Sequence, residues 1–363
     1  NQIMGLYIPT NKVIFLKKYI YFSFACLFTI NLFSQSLNPN FFTNNINENE
    51  LKNLIYVYSS DFFKGRETGK IGQKRAVKFI SEYYESLDIN EAKGTENYFQ
   101  KMELNISRNI VQTENVVAVI EGSEEPNEFI IISAHLDHEG VKNGKIYNGA
   151  DDNASGTIGV LKIAEAFQNA VKTGYRPKRS IVFLHFTGEE KGLLGSKYYT
   201  DNPIYPLEST IVNLNIDMIG RIDSRHMNND ERYIYLIGSN LLSSELHEVS
   251  ETANRNTIKL NLDYKYNDID QSECIYYRSD HFHFVKNNIP VIFYFNGLHK
   301  DYHKPTDTAE KIEYRLLKDR IKLIFFTAWE LANRDKAIEV DKNVDYSKLI
   351  NCRRYLKLYN LWG

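Results

Sequence analysis

The chain has 363 residues, of which 43% are hydrophobic and 25% are charged, and its formal net charge is -2 at pH 7. This balance is typical of a folded globular protein, and one large domain with short extensions accounts for the length. No basic excess is present, so we expect no nucleic-acid partner.

Residues 1–35 have the order of an export signal. Lys17 and Lys18 precede an apolar run over residues 19–33, and small polar residues follow it. A positive segment before a short apolar one is typical of a secretory signal peptide, whereas a membrane span needs about 20 apolar residues. We therefore expect cleavage, no stable membrane span in the mature chain, and a periplasmic or secreted product.

Composition divides the remainder of the chain into three parts. Residues 36–50 are rich in Asn and predict a flexible mature N-terminus, with order beginning near Leu51. Residues 51–336 form the predicted catalytic domain, and residues 337–363 are an extension without an assigned role. After loss of the signal peptide, Cys274 and Cys352 remain, and they either pair or stay free.

Hydrophobic periodicity predicts an α/β fold. Apolar residues recur at three and four over residues 71–87, which predicts a helix with one buried face. Further helices are predicted over residues 155–171, 243–254 and 314–333, and continuous apolar runs predict strands over residues 129–134, 180–186, 211–216 and 290–295. Strands that alternate with helices favour a three-layer sandwich in which helices flank a mostly parallel central sheet.

Acidic and histidine residues follow the predicted strands. The residues concerned are His135 and Asp137 after the first strand, Glu189 and Glu190 after the second, Asp217 at the end of the third, His303 after the fourth, and Asp152 in a turn-rich loop. Each alone is more often a buried histidine, a helix cap, a turn residue or part of a solvated acidic pair than a functional group. Together they converge beyond the carboxyl ends of the strands, where so many acids repel one another unless cations compensate them. This pattern predicts a metal site.

Five segments, in chain order, resemble the motifs of the bacterial leucyl aminopeptidase family of two-zinc metallopeptidases, the co-catalytic zinc exopeptidases. They are SAHLDH (133–138), GADDNASG (149–156), TGEEKGLLGS (187–196), NIDMIG (215–220) and YHKPTDT (302–308). The similarity extends from about Leu51 to about Asn333.

The resemblance implies a ligand set for two Zn²⁺ ions. In the family pattern Asp152 bridges both ions, Glu190 and His303 complete one site, and His135 and Asp217 complete the other. Mixed nitrogen and oxygen ligands suit zinc.

The resemblance also implies roles around the ions. Glu189 is the general base, and Asp137 accepts a hydrogen bond from the outer nitrogen of His135. Tyr302 stabilises the tetrahedral oxyanion. Arg278 contacts the substrate, and Asp280 orients a neighbouring residue. The remaining histidines are interpreted as packing or rim residues: His138, His281, His283 and His299.

The implied activity is that of an exopeptidase, with an aminopeptidase favoured. A hydroxide held between the zinc ions would cleave N-terminal residues from peptides, and Glu189 and Asp217 would hold the free α-amine. We expect a monomer. A glutaminyl cyclase and a carboxypeptidase on the same fold remain alternatives, as does an inactive binding module, although the complete ligand set argues against the last.

Overall fold

The computed structural model describes residues 38–228 and 230–358, so the predicted signal peptide lies outside the described residues. The described residues from Phe42 onward form one compact unit. Within these residues, no helix combines the length and the apolar character that a bilayer crossing requires.

In the described part of the chain, a nine-stranded mixed sheet lies at the centre of this unit. Its strands are β1 Asn90–Glu91, β2 Phe99–Ile106, β3 Asn109–Ile120, β4 Glu125–His135, β7 Arg179–Phe186, β8 Thr210–Ile216, β9 Tyr233–Ile237, β10 Asn261–Asp263 and β11 Val291–Phe295. A separate hairpin consists of β5 Gly140–Lys142 and β6 Lys145–Tyr147. The four predicted strands correspond to β4, β7, β8 and β11, and all four are confirmed.

The parallel part of the sheet is its centre. The order is β1-β3-β7-β4-β8-β11-β9-β10, and β2 pairs with β3. β4 runs parallel to β7 and β8, and β8 runs parallel to β11. β3 and β9 flank this core and are antiparallel to it. The prediction of a parallel sheet therefore holds for the four central strands, whose carboxyl ends meet at one edge.

Helices cover both faces of the sheet, which confirms the three-layer sandwich. They are α1 Glu48–Tyr58, α2 Ile71–Ser86, α3 Gly156–Lys172, α4 Leu194–Asp201, α5 Ser244–Asn256, α6 His281–Lys286, α7 Tyr314–Asn333 and α8 Arg353–Leu358. Phe183 of β7 faces Phe167 of α3, with ring centroids 6.4 Å apart. The next residue, Leu184, points to the other face, where it shares a cluster with Tyr199 of α4 and Phe284 of α6. The helices predicted from periodicity match α2, α3, α5 and α7.

Residues 36–50 are expected to be flexible. From Phe42 onward, however, this segment packs against the rest of the described chain. The Phe42 ring is 2% exposed and lies 5.3 Å from the Trp329 ring of α7. Asn47 caps α1, because its side chain accepts a hydrogen bond from the Glu50 N–H at 3.0 Å. The prediction from the Asn-rich composition overlooked two apolar residues, Phe42 and Ile46, both of which are buried.

The two cysteines left open by the sequence form a disulfide. Cys274 and Cys352 are bonded across a separation of 78 residues, which ties the C-terminal extension to the segment before α6. This extension includes α8 and a short 3-10 turn, Tyr346–Lys348.

Candidate metal centre

The candidate site lies at the carboxyl edge of the four parallel strands. His135 is the last residue of β4, and Asp217 directly follows β8. Glu189 and Glu190 lie in a 3-10 turn just after β7. Because these strands are parallel and in register, their ends bring the side chains together from distant parts of the chain.

One group of predicted ligands surrounds His135. Its Nε2 atom lies 3.3 Å from Asp152 Oδ1 and 3.3 Å from Asp217 Oδ1. All three side chains are nearly inaccessible to solvent, and Ser279 Oγ donates a 2.7 Å hydrogen bond to the other Asp217 oxygen. The sequence did not indicate Ser279; its hydroxyl fixes the Asp217 carboxylate in position.

A second group surrounds His303, which lies in the loop after β11. Its Nε2 atom is 3.1 Å from Asp152 Oδ2 and 3.2 Å from Glu190 Oε2. Asp152 thus directs one oxygen to each group. The structure brings all five predicted ligands together, with Asp152 between the two imidazoles.

The turn that carries Asp152 is irregular. It spans Ala150–Ser155 at the start of α3, and Asp152 and Asn153 depart from helical geometry. Asp307 holds the turn, since its carboxylate accepts hydrogen bonds from the backbone N–H groups of Asp151 and Asp152 at 3.0 and 3.1 Å. The Asp152 carboxylate is thereby directed toward the strand ends.

The charges in the site are strongly coupled. Burial raises the pKa of Asp152, but His138, His135 and His303 outweigh this and hold it well below its usual value. Burial also raises the pKa of Glu190, and hydrogen bonds from His138 and His303 bring it to about 2. Conversely, burial lowers the pKa of His303, but Asp152 and Glu190 raise it to about 10. The ionised forms of the buried carboxylates are therefore stabilised by positive charge placed next to them.

The donor atoms fit metal ions. Ligand atoms of His135, Glu189 and Asp217 lie within 4.8 Å of one another, as do those of His138, Asp152 and Glu190. Asp152 Oδ2 is buried and has no hydrogen-bond partner of acceptable geometry among the described residues. Imidazole nitrogens and carboxylate oxygens at such spacing are a donor set that suits zinc.

Glu189 lies beside the ligands and lines the cavity. Burial raises the pKa of its carboxyl well above the ordinary value; His135 opposes this, and Glu190 and Asp217 add to it. Its backbone N–H donates to Asp137 Oδ1 at 3.1 Å, which fixes the turn. The position suits a group that accepts a proton without being one of the five predicted ligands.

The predicted contact between Asp137 and His135 needs correction. His135 Nδ1 lies 3.1 Å from the backbone carbonyl oxygen of Asp137, whereas the carboxylate is 3.9 Å away. That carboxylate instead accepts hydrogen bonds from Thr68 Oγ1 at 2.8 Å and from the Glu189 N–H. Asp137 thus supports the imidazole through its backbone and the Glu189 turn through its side chain.

His138 was interpreted as a packing or rim residue, and the structure places it in the site. Its Nδ1 atom lies 2.8 Å from Glu190 Oε1 and 3.7 Å from Asp152 Oδ2. The neighbouring Glu139 reaches the other group, with Oε1 3.4 Å from His303 Nδ1. The position of His138 and Glu139 in the loop directly after β4, a few residues beyond His135, was the available signal.

Arg278 and Tyr302 form a pair at the cavity, where Arg278 Nη2 donates a 3.1 Å hydrogen bond to the Tyr302 hydroxyl oxygen.

Asp280, predicted to orient a neighbour, is completely buried, and burial raises its pKa to about 7. The hydrogen bond to a predicted ligand comes from Ser279, the residue before it. His299, another histidine read as packing, pairs with Asp151 at 3.0 Å.

A small cavity lies beside these residues. Its polar lining residues are Asp152, Glu189, Asp217, Arg278, Tyr302 and His303. Its apolar lining residues are Met218, Ile275, Phe293, Phe295 and Leu298. A cavity that combines apolar side chains with a cluster of acids is an arrangement that binds an amphipathic small group.

Solved structures share this fold. The LapA aminopeptidase of Legionella pneumophila superimposes with a TM-score of 0.64 at 18% identity, covering 82% of this chain and 75% of that chain. The zinc aminopeptidase BSAP of Bacillus subtilis gives 0.61 at 16%, covering 82% and 99%. A glutaminyl cyclase of Fimbriiglobus ruber gives 0.61 at 15%, covering 78% and 94%, so the fold alone does not select an activity.

Curated relatives match shorter segments. A protein named probable glutamate carboxypeptidase LAMP1 from Arabidopsis thaliana is 35% identical over 109 residues, which is 30% of this chain and 15% of that protein. One named probable leucine aminopeptidase from Arthroderma otae is 28% identical over 224 residues, or 60% and 57%. The family model described as peptidase family M28 matches residues 115–328, more than half of the chain. The chain therefore belongs to peptidase family M28.

Proposed function

We propose that this chain is an exported zinc-dependent aminopeptidase, which removes N-terminal residues from peptides. The observation that carries the proposal is the shared carboxylate of Asp152, with Oδ1 3.3 Å from His135 Nε2 and Oδ2 3.1 Å from His303 Nε2. One carboxylate between two imidazoles supports two cations side by side. Asp217 would complete the His135 side, and Glu190 the His303 side.

The surrounding residues fit peptide hydrolysis. Zinc ions bound here would polarise the scissile carbonyl and lower the pKa of a bound water. Glu189 accepts the proton of the attacking water and delivers it to the leaving amine. Because Arg278 donates to the Tyr302 oxygen, the hydroxyl proton of Tyr302 remains available for the developing oxyanion.

The composition of the cavity favours an N-terminal residue as the substrate group. The carboxylates of Asp152, Glu189 and Asp217 line the cavity and attract an α-ammonium group. The apolar side chains of the lining fit a hydrophobic substrate side chain. A carboxypeptidase would need cationic groups for the substrate carboxylate, and Arg278 already pairs with Tyr302.

The disulfide supports the export part of the proposal. A bond between Cys274 and Cys352 persists in the periplasm or outside the cell, where conditions are oxidising, and is rare in a reducing cytosol. It agrees with the signal-peptide pattern of residues 1–35.

Three substrate classes test the proposed activity. The zinc-loaded protein is given alanyl and leucyl anilides, N-acylated dipeptides with a free carboxylate, and peptides with N-terminal glutamine. We expect hydrolysis of the anilides, without release of a C-terminal residue and without cyclisation of N-terminal glutamine, and loss of anilide hydrolysis in Asp152→Asn. The control variant Asp201→Asn, on the exposed surface of α4, should remain active.

Each of the other outcomes would assign a different function to the chain. Release of a C-terminal residue would indicate a carboxypeptidase, and cyclisation of N-terminal glutamine would indicate a cyclase. A folded, zinc-loaded protein that converts none of the three classes would support the inactive binding module.

A further inference from the structure

The C-terminal extension packs beside the candidate substrate cavity. It begins after Lys336, beyond the residues 115–328 that match the family model. We propose that this extension acts as a clamp on residues 270–278, called here the clamped segment, and so determines which substrate side chains the cavity accepts. This inference rests on the proposed aminopeptidase function.

Covalent and hydrogen bonds join the extension to the clamped segment at its first residue, Asp270, and in its middle, at Cys274. The Asp270 carboxylate accepts hydrogen bonds from the backbone N–H groups of Ile350 and Cys352 at 2.9 and 3.0 Å. The Asn351 side chain donates to the Asp270 carbonyl oxygen at 2.8 Å. Further along, Cys274 is bonded to Cys352.

Apolar packing adds to these bonds. Leu349 and Leu356 of the extension are 4% and 2% exposed and belong to the same cluster as Ile275 and Tyr277. The Tyr346 ring lies 6.5 Å from the Tyr277 ring, centroid to centroid. The extension is therefore packed against the clamped segment rather than lying loosely beside it.

The clamped segment contains little regular secondary structure that would fix its position without the extension. Over residues 270–278, all of which the structure describes, the regular element is one 3-10 turn, Ile275–Tyr277. Cys274 precedes this turn with a φ of 53°, in the left-handed region that is unfavourable for a side chain with a Cβ. A short irregular segment without sheet pairing depends on external contacts for its position.

The clamped segment supplies two groups to the cavity. Ile275 is one of the apolar residues that line the cavity, and Arg278 is one of the polar ones and donates to Tyr302. The other apolar lining residues come from β11 and from loops at the strand ends. Movement of the clamped segment would therefore change the shape of the side-chain pocket and leave the five predicted zinc ligands in place.

Asp270→Ala and a Cys274→Ser/Cys352→Ser double variant release the clamp in two independent ways. Asp341→Ala is the matched control, since this aspartate of the same extension accepts a backbone hydrogen bond from Ser244 at 2.8 Å, away from the cavity lining. For each protein, hydrogen–deuterium exchange of residues 275–278, zinc content, and kcat/KM for leucyl and alanyl anilides are measured.

We expect faster exchange at residues 275–278 in both released variants, with unchanged zinc content. The leucyl-to-alanyl ratio of kcat/KM should fall by roughly threefold or more, because the pocket no longer has a fixed apolar lining. The control should match the wild type in every measurement.

Unchanged exchange, or an unchanged substrate ratio despite faster exchange, would overturn the clamp, as would equal changes in the Asp341→Ala control. A wild-type protein without anilide turnover would instead contradict the proposed function. In that case the exchange measurement alone decides whether the extension holds the clamped segment.

Discussion

At the scale of single residues, the three imidazoles in the site fall into two kinds. His135 and His303 each have a partner for the outer nitrogen: the Asp137 carbonyl oxygen at 3.1 Å and Glu139 Oε1 at 3.4 Å. His138 Nε2 is buried and has no hydrogen-bond partner among the described residues. A metal-binding histidine usually donates its outer N–H, so His138 fits better as a hydrogen-bond donor to Glu190.

The variant His138→Gln tests this distinction. Loss of the hydrogen bond to Glu190 should weaken zinc binding by about 10-fold to 100-fold without removing a full equivalent of metal at saturation. The matched control is His283→Gln, a buried histidine of α6 away from the site, which should bind zinc like the wild type. Loss of one zinc equivalent in His138→Gln would make His138 a ligand instead.

The variant Glu189→Gln tests the proton acceptor. An amide keeps the size of the side chain but cannot take the proton, so turnover should fall by about 10³-fold or more while zinc content stays the same. Glu208→Gln, on the exposed surface, is the control. A Glu189→Gln enzyme with near wild-type kcat would assign the proton transfer to another group.

At the scale of elements, the sequence predicts the centre of the sheet well, because β4, β7 and β8 are buried on both faces and read as largely apolar runs. It misses β2, whose residues alternate between exposed and buried, the twelve-residue β3, which begins exposed and ends buried, and the five-residue β9. It also misses the strands of two or three residues, β1, β5, β6 and β10. Such short or half-exposed strands are recognisable only through their neighbours in the sheet.

The candidate site, like the sheet, is predicted from the sequence only in part. Strand ends and motif order predict that His135, Asp152, Glu190, Asp217 and His303 lie together. They do not predict which atom of Asp137 faces His135, or that Ser279 rather than Asp280 contacts Asp217. These details depend on side-chain rotamers and on loop conformation, which a sequence pattern does not specify.

Gly195→Ala tests the packing of the turn that carries Glu189 and Glu190. An added Cβ would lie 2.1 Å from the Thr187 carbonyl oxygen and 2.6 Å from Asn115 Oδ1. We expect a loss of about 1–3 kcal/mol in the free energy of unfolding, together with weaker zinc binding.

Gly159→Ala in α3 is the matched control, because its Cβ would make only ordinary contacts, the nearest at 3.5 Å from Ile321 of α7. Alanine there should be neutral or stabilise the helix by about 0.5–1 kcal/mol. Denaturant unfolding and zinc titration measure both variants, and equal stability of the two would contradict the steric argument.

At the scale of the whole molecule, buried neutral histidines make stability dependent on pH. Burial lowers the pKa of His185 to about 3, and its Nε2 atom lies 2.7 Å from the Tyr84 hydroxyl oxygen. The unfolded chain binds this proton near the ordinary histidine pKa of about 6.5. Between about pH 6.5 and 3 the unfolded state therefore holds more protons, and stability falls as the pH falls.

The variant His185→Gln should reduce this acid dependence. The buried histidine contributes about 1.4 kcal/mol per pH unit to the slope of the unfolding free energy within that window, and glutamine contributes nothing. Denaturant unfolding between pH 7 and 4 measures the slope. An identical slope in the variant would show that His185 is already protonated in the folded protein.

We propose that one carboxylate, Asp152, organises two cation sites at the edge of the sheet. The decisive measurement is the amount of zinc bound per chain, by equilibrium dialysis and elemental analysis. We expect two equivalents in the wild type, about one in Asp217→Ala, and neither held tightly in Asp152→Ala. A wild type that saturates at one zinc ion, or an Asp152→Ala variant that still binds two, would contradict it.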